Sequence, residues 1–311
     1  VLHTFKLDTS SCSISNVSFF YNYKYQKMRA FGEFAIDKDK NIASIQGAHF
    51  QLTSDIQYSV VARYYHKNYR SFLSSAFAEQ SAVQNEMGVY SKLVTQLSSN
   101  VSVSVAHDIF SLPAYRYFVK SPTRGSELYL KIQYATYSNY MAYYQFTSSY
   151  KTEAISNLEL VKQVELQSKN FHKFYISIPI SNTIQVKSAV LCNTVLASSS
   201  KNFGILFFQD IVVKPSKSIS LSFRYAQFDS PYQSRLYAWE DNVQYGFSSS
   251  QYFYAGSMCY CIAKINCNSH LQIQTKVAKT SYSAKYPLPE TYDVYADSRK
   301  IVYSIILLMK L

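Results

Sequence analysis

The sequence predicts an all-β protein, an antiparallel transmembrane β-barrel of about 18 strands, within roughly 16–20. Three observations carry this: a closing stretch whose two faces differ, a composition rich in β-formers and poor in charge, and short turns that alternate with long connections.

The closing stretch is Arg299 to Leu311. Ile301, Tyr303, Ile305, Leu307, Met309 and Leu311 fall on one face of a strand, and Val302, Ser304, Ile306, Leu308 and Lys310 on the other. The odd-numbered face is apolar throughout and is expected to meet lipid, with Ser304 and Lys310 toward a wetter interior. Leu311 takes the terminal apolar place with which such barrels finish. The strand is expected to run inward from a long loop at 281–298 and to pair with the first strand.

Composition points the same way. Thirty Tyr and twenty Phe stand beside seven Gly and seven Pro, a mixture that favours strands. The chain has no apolar run of about 18 residues, which excludes a spanning helix, but barrel strands look only half hydrophobic. The mean hydropathy of −0.14 is therefore no sign of solubility. Charged residues make up 16% of the chain, against about 25% in ordinary soluble domains, and the net charge is +12. This basic excess is read as solvation of a lumen and rim, with a nucleic-acid site as the sharper alternative. Cys12, Cys192, Cys259, Cys261 and Cys267 form no disulfide or metal pattern and are read as free. No signal peptide precedes Val1, so an exported protein is expected here in mature form or as a fragment of a larger barrel.

In chain order, strands are expected at Val1–Lys6, Val17–Tyr25, Met28–Ile36, Ile42–Leu52 and Ile56–His66, with a Ser-rich loop around Cys12. The long connection 67–84 leads to Asn85–Leu97, a turn at Ser98–Asn100, and a strand in which Val101, Val103, Val105 and Ile109 oppose Ser102, Ser104, Ala106 and Asp108. Strands through Leu128–Tyr134 and Tyr140–Thr147 flank the turn Tyr137–Asn139, and long loops are expected at about 111–125 and 150–169. Further strands follow at Phe171–Ile180, Thr183–Leu191, Phe203–Val213 and Ser218–Gln227, and an alternating one near Leu271–Val277. A short pair, Ser234–Trp239 and Val243–Ser248, joined at Glu240–Asn242, is needed to keep every long loop at one end of the strands.

Arg63, Lys131, Lys187, Arg224 and Lys276 all fall on the polar faces of their strands and are the candidate lumen-facing bases. A lipid-facing Arg or Lys costs about 2–4 kcal/mol at the bilayer midplane, so a membrane barrel requires this segregation.

The stretch Phe223–Ser230, with Tyr232, Ser234–Val243 and Tyr245–Phe247, resembles the C-terminal barrel region of Bacteroidota helix-hairpin-helix (competence-type) proteins. Tyr64-Tyr65, Tyr69, Ala76–Glu79, Gln84–Glu86, Gly88 and Tyr90 are similar to a loop and strand start of that family. Pro113, Arg116-Tyr117, Ser121-Pro122 and Gly125 are similar to its next long loop, and Glu290-Thr291 and Arg299-Lys300 to its final loop and strand. The chain departs from the pattern in its final loop, where Tyr292–Ala296 replaces a Gly-rich run, and in ending on Leu311 rather than Phe. The family's helix-hairpin-helix segment is not present in 1–311, which is expected to be a single barrel domain. The resemblance implies an outer-membrane barrel; DNA uptake enters only through the family.

No catalytic chemistry is expected. His3, His49, His66, His107, His172 and His270 are scattered without metal spacing, and His107 and Asp108 point to opposite faces of a strand. No catalytic, cofactor or metal site is therefore assigned and the cofactor expectation is none. The aromatic and basic run Arg63–Arg70 reads as an interfacial girdle rather than a nucleic-acid surface. The expected function is a non-enzymatic, porin-like channel or transport barrel of a Gram-negative outer membrane, with a basic lumen that favours anions. The alternatives are a structural or receptor subunit of an envelope complex and a DNA-uptake barrel. The expected partners are outer-membrane lipid and envelope proteins docking on loops 67–84 and 281–298, and no nucleic acid for this chain alone; those loops could instead plug the lumen.

Overall fold

The computed structural model describes residues 2–9, 12–71, 74–115, 122–154, 164–197, 200–268, 270–283 and 299–309. Its strands are β1 Leu2–Thr9, β2 Cys12–Tyr25, β3 Met28–Asp37, β4 Ile42–Gln51, β5 Ile56–Tyr65, β6 Glu86–Ser98, β7 Val101–Leu112, β8 Thr123–Ala135 and β9 Met141–Ala154. They continue as β10 Val164–Pro179, β11 Ile184–Ala197, β12 Ser200–Ser216, β13 Ile219–Ser230, β14 Leu236–Trp239, β15 Ser249–Tyr252, β16 Tyr254–Asn266, β17 Leu271–Tyr282 and β18 Arg299–Met309. The fold is all-β and antiparallel, as the sequence predicts. Sixteen strands form one sheet in chain order, while β14 and β15 pair only with each other. The residues group into two compact units, 1–132 with 147–168 and 133–146 with 169–311.

Within the sixteen-stranded sheet, connections after even-numbered strands are short. Between β2 and β3, β4 and β5, β6 and β7, β8 and β9, β10 and β11, β12 and β13, and β16 and β17, the longest is Thr136–Tyr140. Connections after odd-numbered strands include the long ones, 66–85 and 231–253 among them.

Alternation fixes which face each strand buries. On β12, Leu206 and Phe208 are buried while Phe203, Ile205, Phe207 and Ile211 are exposed; on β7, Ala106, Asp108 and Phe110 are buried while Val105 and Ile109 are exposed. On these two strands the uncovered face is thus apolar, while the charges Asp108 and Asp210 lie on the covered one beside apolar side chains. From Ser304 onward the odd-numbered residues of β18 are the open ones, with Ile305 71% exposed, while Lys300 and Val302 are exposed as well. We expect Ile305→Arg to destabilise the protein in phosphatidylcholine vesicles by about 2–4 kcal/mol, as for a cation near the bilayer midplane, but hardly at all if that face met water. A urea titration reads the difference, and an unchanged midpoint would sink the membrane placement.

Four expectations need correction. The Ser-rich segment around Cys12 is not a loop: β2 begins at Cys12, which pairs with Thr9, because serines alternating with Cys12 and Ile14 suit a strand. Much of the expected loop 150–169 is strand, since β9 runs to Ala154 and β10 starts at Val164. Val243–Ser248 is a turn region rather than a strand, and the partner of β14 is Ser249–Tyr252. The sheet strand that was missed is β16, whose Tyr254–Asn266 pairs with β13 and β17. Residues 284–298 of the expected final loop, with Leu311 and the segments 116–121 and 290–296 of the resemblance, lie outside the described residues.

Candidate functional site

In the second unit the connection between β13 and β16 folds back over the sheet. It starts with a 3-10 turn, Tyr232–Ser234, that leaves Ser230 and Ser234 fully buried and hydrogen-bonded to each other at 3.2 Å. Gly204 on β12 makes room for it, since a Cβ there would lie 2.2 Å from the Ser230 Oγ and 2.8 Å from the Ser234 carbonyl oxygen. The β14–β15 hairpin then lays Leu236, Ala238 and Tyr252 onto Leu191, Leu206, Phe208, Ala226, Phe228 and Met258. Its other side presents Tyr237 and Trp239, both exposed. The hairpin is amphipathic by simple alternation, and its apolar side is what holds it down.

Polar contacts fix the hairpin tip. Lys276 Nζ on β17 donates to Glu240 Oε2 at 3.1 Å and to the Asp241 carbonyl at 3.2 Å, and the Tyr252 hydroxyl donates to Glu240 Oε1 at 2.7 Å. Burial, and then the Glu240 charge, hold the Tyr252 phenol well above its ordinary range, so it remains a donor. Ser222 Oγ donates to Asp241 Oδ2 at 2.8 Å, the Asp241 N–H to the Tyr260 hydroxyl, and the Gln244 N–H to Gln274 Oε1.

Below the tip lies a cavity of about 290 Å³, lined by Tyr143, Lys173, Tyr175, Lys187, Asp210, Arg224, Trp239, Asp241 and Tyr260 among others. Asp210 stands directly across from Arg224 in the β12–β13 register and takes two of its donors, the Nη2 bond being 2.7 Å. The Phe208 ring backs the guanidinium at 4.0 Å. A second hollow of about 620 Å³ shares Met141, Tyr175, Lys187 and Val212 with the first and is lined by the short turns at 136–140 and 181–183.

The first unit holds a separate lock. Arg63 on β5 is buried; its Nε donates to Glu86 Oε1 at 2.6 Å, and Nη1 and Nη2 donate to the two Asp108 carboxylate oxygens at 2.8 and 3.1 Å. Gly88 faces Arg63 across β6, where a Cβ would sit 2.7 Å from the guanidinium carbon, so only glycine lets Arg63 cross β6 to reach β7. Glu86 in turn accepts the backbone N–H groups of Glu79 and Gln80, and the Phe77 ring lies 4.8 Å from the guanidinium. These contacts draw the connection 67–84 inward, where Tyr69 and Val83 pack with Ala35, Ala43 and Tyr65. Glu79 also meets Lys151, and burial keeps its carboxyl above the usual range even so.

Of the five candidate bases, Lys187 and Arg224 line one cavity and Lys276 pins the hairpin tip in the same unit. Arg63 centres the lock of the other unit, and Lys131 on β8 is half-buried. Lys173 was missed, although it sits on β10 two residues before Tyr175 and obeys the same alternation. The acids Glu86, Asp108, Asp210 and Glu240 were missed too; the first three share a face with a candidate base and were legible by parity. Cys259 and Cys261 lie on the opposite face of β16 from Met258, Tyr260 and Ile262, and Cys192, Cys259, Cys261 and Cys267 are free.

No family model and no curated protein matches the chain. Solved structures do. In-vitro folded OmpT, an outer membrane protein of Vibrio cholerae, aligns at TM-score 0.42 and 11% identity over 90% of this chain and 83% of that one. The siderophore receptor PirA from Acinetobacter baumannii gives 0.48 and 7% over 97% and 55%, and a bacterial polysaccharide outer membrane secretin 0.39 and 8% over 96% and 91%. None of these reaches a TM-score of 0.5.

Proposed function

We propose that this chain is a non-enzymatic transport barrel of the bacterial outer membrane, whose basic interior favours small anions and is narrowed by the β14–β15 hairpin. One observation carries the reading: the face of the sheet opposite the exposed apolar band bears Lys173, Lys187 and Arg224 around one cavity. The band supports lipid contact because β2–β13 and β16–β18 each span ten residues or more at about 3.3 Å per residue, enough for a tilted crossing. The residues that carry the resemblance to the helix-hairpin-helix proteins, 223–247 and the Tyr64–Tyr90 pieces, are those that build the hairpin and the Arg63 lock.

A reversal potential across a planar bilayer under a potassium chloride gradient tests the reading. Chloride is expected to be the more permeant ion, because Lys173 and Lys187, which form no ion pair among the described residues, concentrate anions in a low-dielectric passage. Absence of any conductance, or a preference for potassium, would overturn it.

A further inference from the structure

We propose that the cavity under the hairpin is a discrete binding site for a small aromatic carboxylate, held by Lys173 and Lys187 and stacked against Tyr143, Tyr175 and Trp239. It rests on the reading of this cavity as part of the anion path and names what would stop there.

The charge balance supports an anion. Three cations and two acids line the cavity, but both acids are engaged: Asp210 by Arg224, and Asp241 by Ser222 with Lys264 at 3.8 Å. Neither Lys173 nor Lys187 forms an ion pair among the described residues; Lys173 Nζ instead lies 5.5 and 5.8 Å from the Tyr143 and Tyr175 ring centres. Two ammonium groups withdrawn from bulk water without a counter-charge are costly, and a bound carboxylate offsets that cost. The Arg224 Nη1 is also buried without an acceptor.

The walls support an aromatic body. Tyr143 and Tyr175 stack at 4.9 Å between ring centres, 23° from parallel, and Trp239 keeps 71% of its surface open at the cavity although it sits on a hairpin whose underside is fully packed. At about 290 Å³ the cavity is at the lower end of ligand pockets, so the occupant is small. It adjoins the larger hollow at the short-turn end, which provides entry.

Trp239 is the chain's single tryptophan and therefore reports on this cavity alone. Its emission is titrated in detergent micelles with benzoate, inorganic phosphate and benzylammonium. Benzoate is expected to change the emission saturably, phosphate to bind at least tenfold more weakly, and benzylammonium to give no saturable change. Lys173→Gln and Lys187→Gln should each weaken benzoate tenfold or more, while Lys279→Gln, on the opposite face of β17 from Lys276, should leave it unchanged. No saturable benzoate response, equal affinity for phosphate, or indifference to both lysine changes would overturn the site. Binding is read without conduction, so benzoate binding to a non-conducting protein would support the site and overturn the channel reading. A conducting protein without benzoate binding would do the reverse.

Discussion

Arg63→Met is expected to release the connection 67–84 from the first unit and expose the bond after Phe77 to chymotrypsin. Removing the guanidinium leaves Glu86 and Asp108 as two buried carboxylates with no cation between them, and breaking a buried pair from one side costs about 3–5 kcal/mol. The loop bears that cost because Glu86 also holds the N–H groups of Glu79 and Gln80, and Phe77 loses the charge against its ring. If opening is fast relative to cleavage, the cleavage rate tracks the open population and should rise by about 10²–10⁴. Gly88→Val should act similarly by pushing Arg63 off β6. The triple change Arg63→Met, Glu86→Gln, Asp108→Asn removes all three charges and should recover most of the resistance, since a neutral replacement of a buried network is often harmless. Cleavage of Arg63→Met at the parent rate would show that packing of Tyr69 and Val83, not the charge network, holds the loop.

The strands were legible because alternation is a local property. Arg63, Lys187, Arg224 and Lys276 each had neighbours of opposite character at the next position, and the structure buries or half-buries all four on the covered face. His107 and Asp108 likewise diverge, Asp108 to Arg63 and His107 to the exposed face. Partnership was less legible, because pairing Arg63 with Asp108 depends on registers across two strands and on the missing side chain of Gly88. The hairpin shows a subtler failure. Two strands inserted after β13 preserve the parity of long and short connections whether or not they join the sheet, so parity demanded a pair but could not say that it folds inward. Alternation within Leu236–Trp239 fits either outcome; burial of Leu236 and Ala238 against Leu206 and Phe228 decides it. Tyr254–Asn266 escaped notice because Cys259, Cys261, Gly256 and Lys264 break up its polarity pattern.

Excising the hairpin is expected to give the largest change in conduction. Ser230 and Tyr254 are direct partners in the β13–β16 register, so a two-residue Asn-Gly turn can replace 231–253 without disturbing the sheet. The deletion uncovers Leu191, Leu206, Phe208 and Phe228, each worth about 1.5–3 kcal/mol when fully buried, so a loss of several kcal/mol in stability accompanies it. Single-channel conductance should rise severalfold, since the tip no longer stands over the cavity lined by Lys187 and Arg224. Lys276→Met tests the same gate without deleting its apolar anchor. It leaves Glu240 buried and held only by Tyr252, a cost of about 3–5 kcal/mol concentrated at the tip, and the expected result is flicker between a narrow and a wide state. Lys276→Met with Glu240→Gln should return the channel to the narrow state, because no unpaired charge is left to drive the tip into water. Unchanged conductance in the deletion, with the sheet still folded, would place the ion path elsewhere and reduce the hairpin to a structural filler. Flicker that persists in the double variant would mean that Lys276 acts through the Asp241 carbonyl rather than through Glu240.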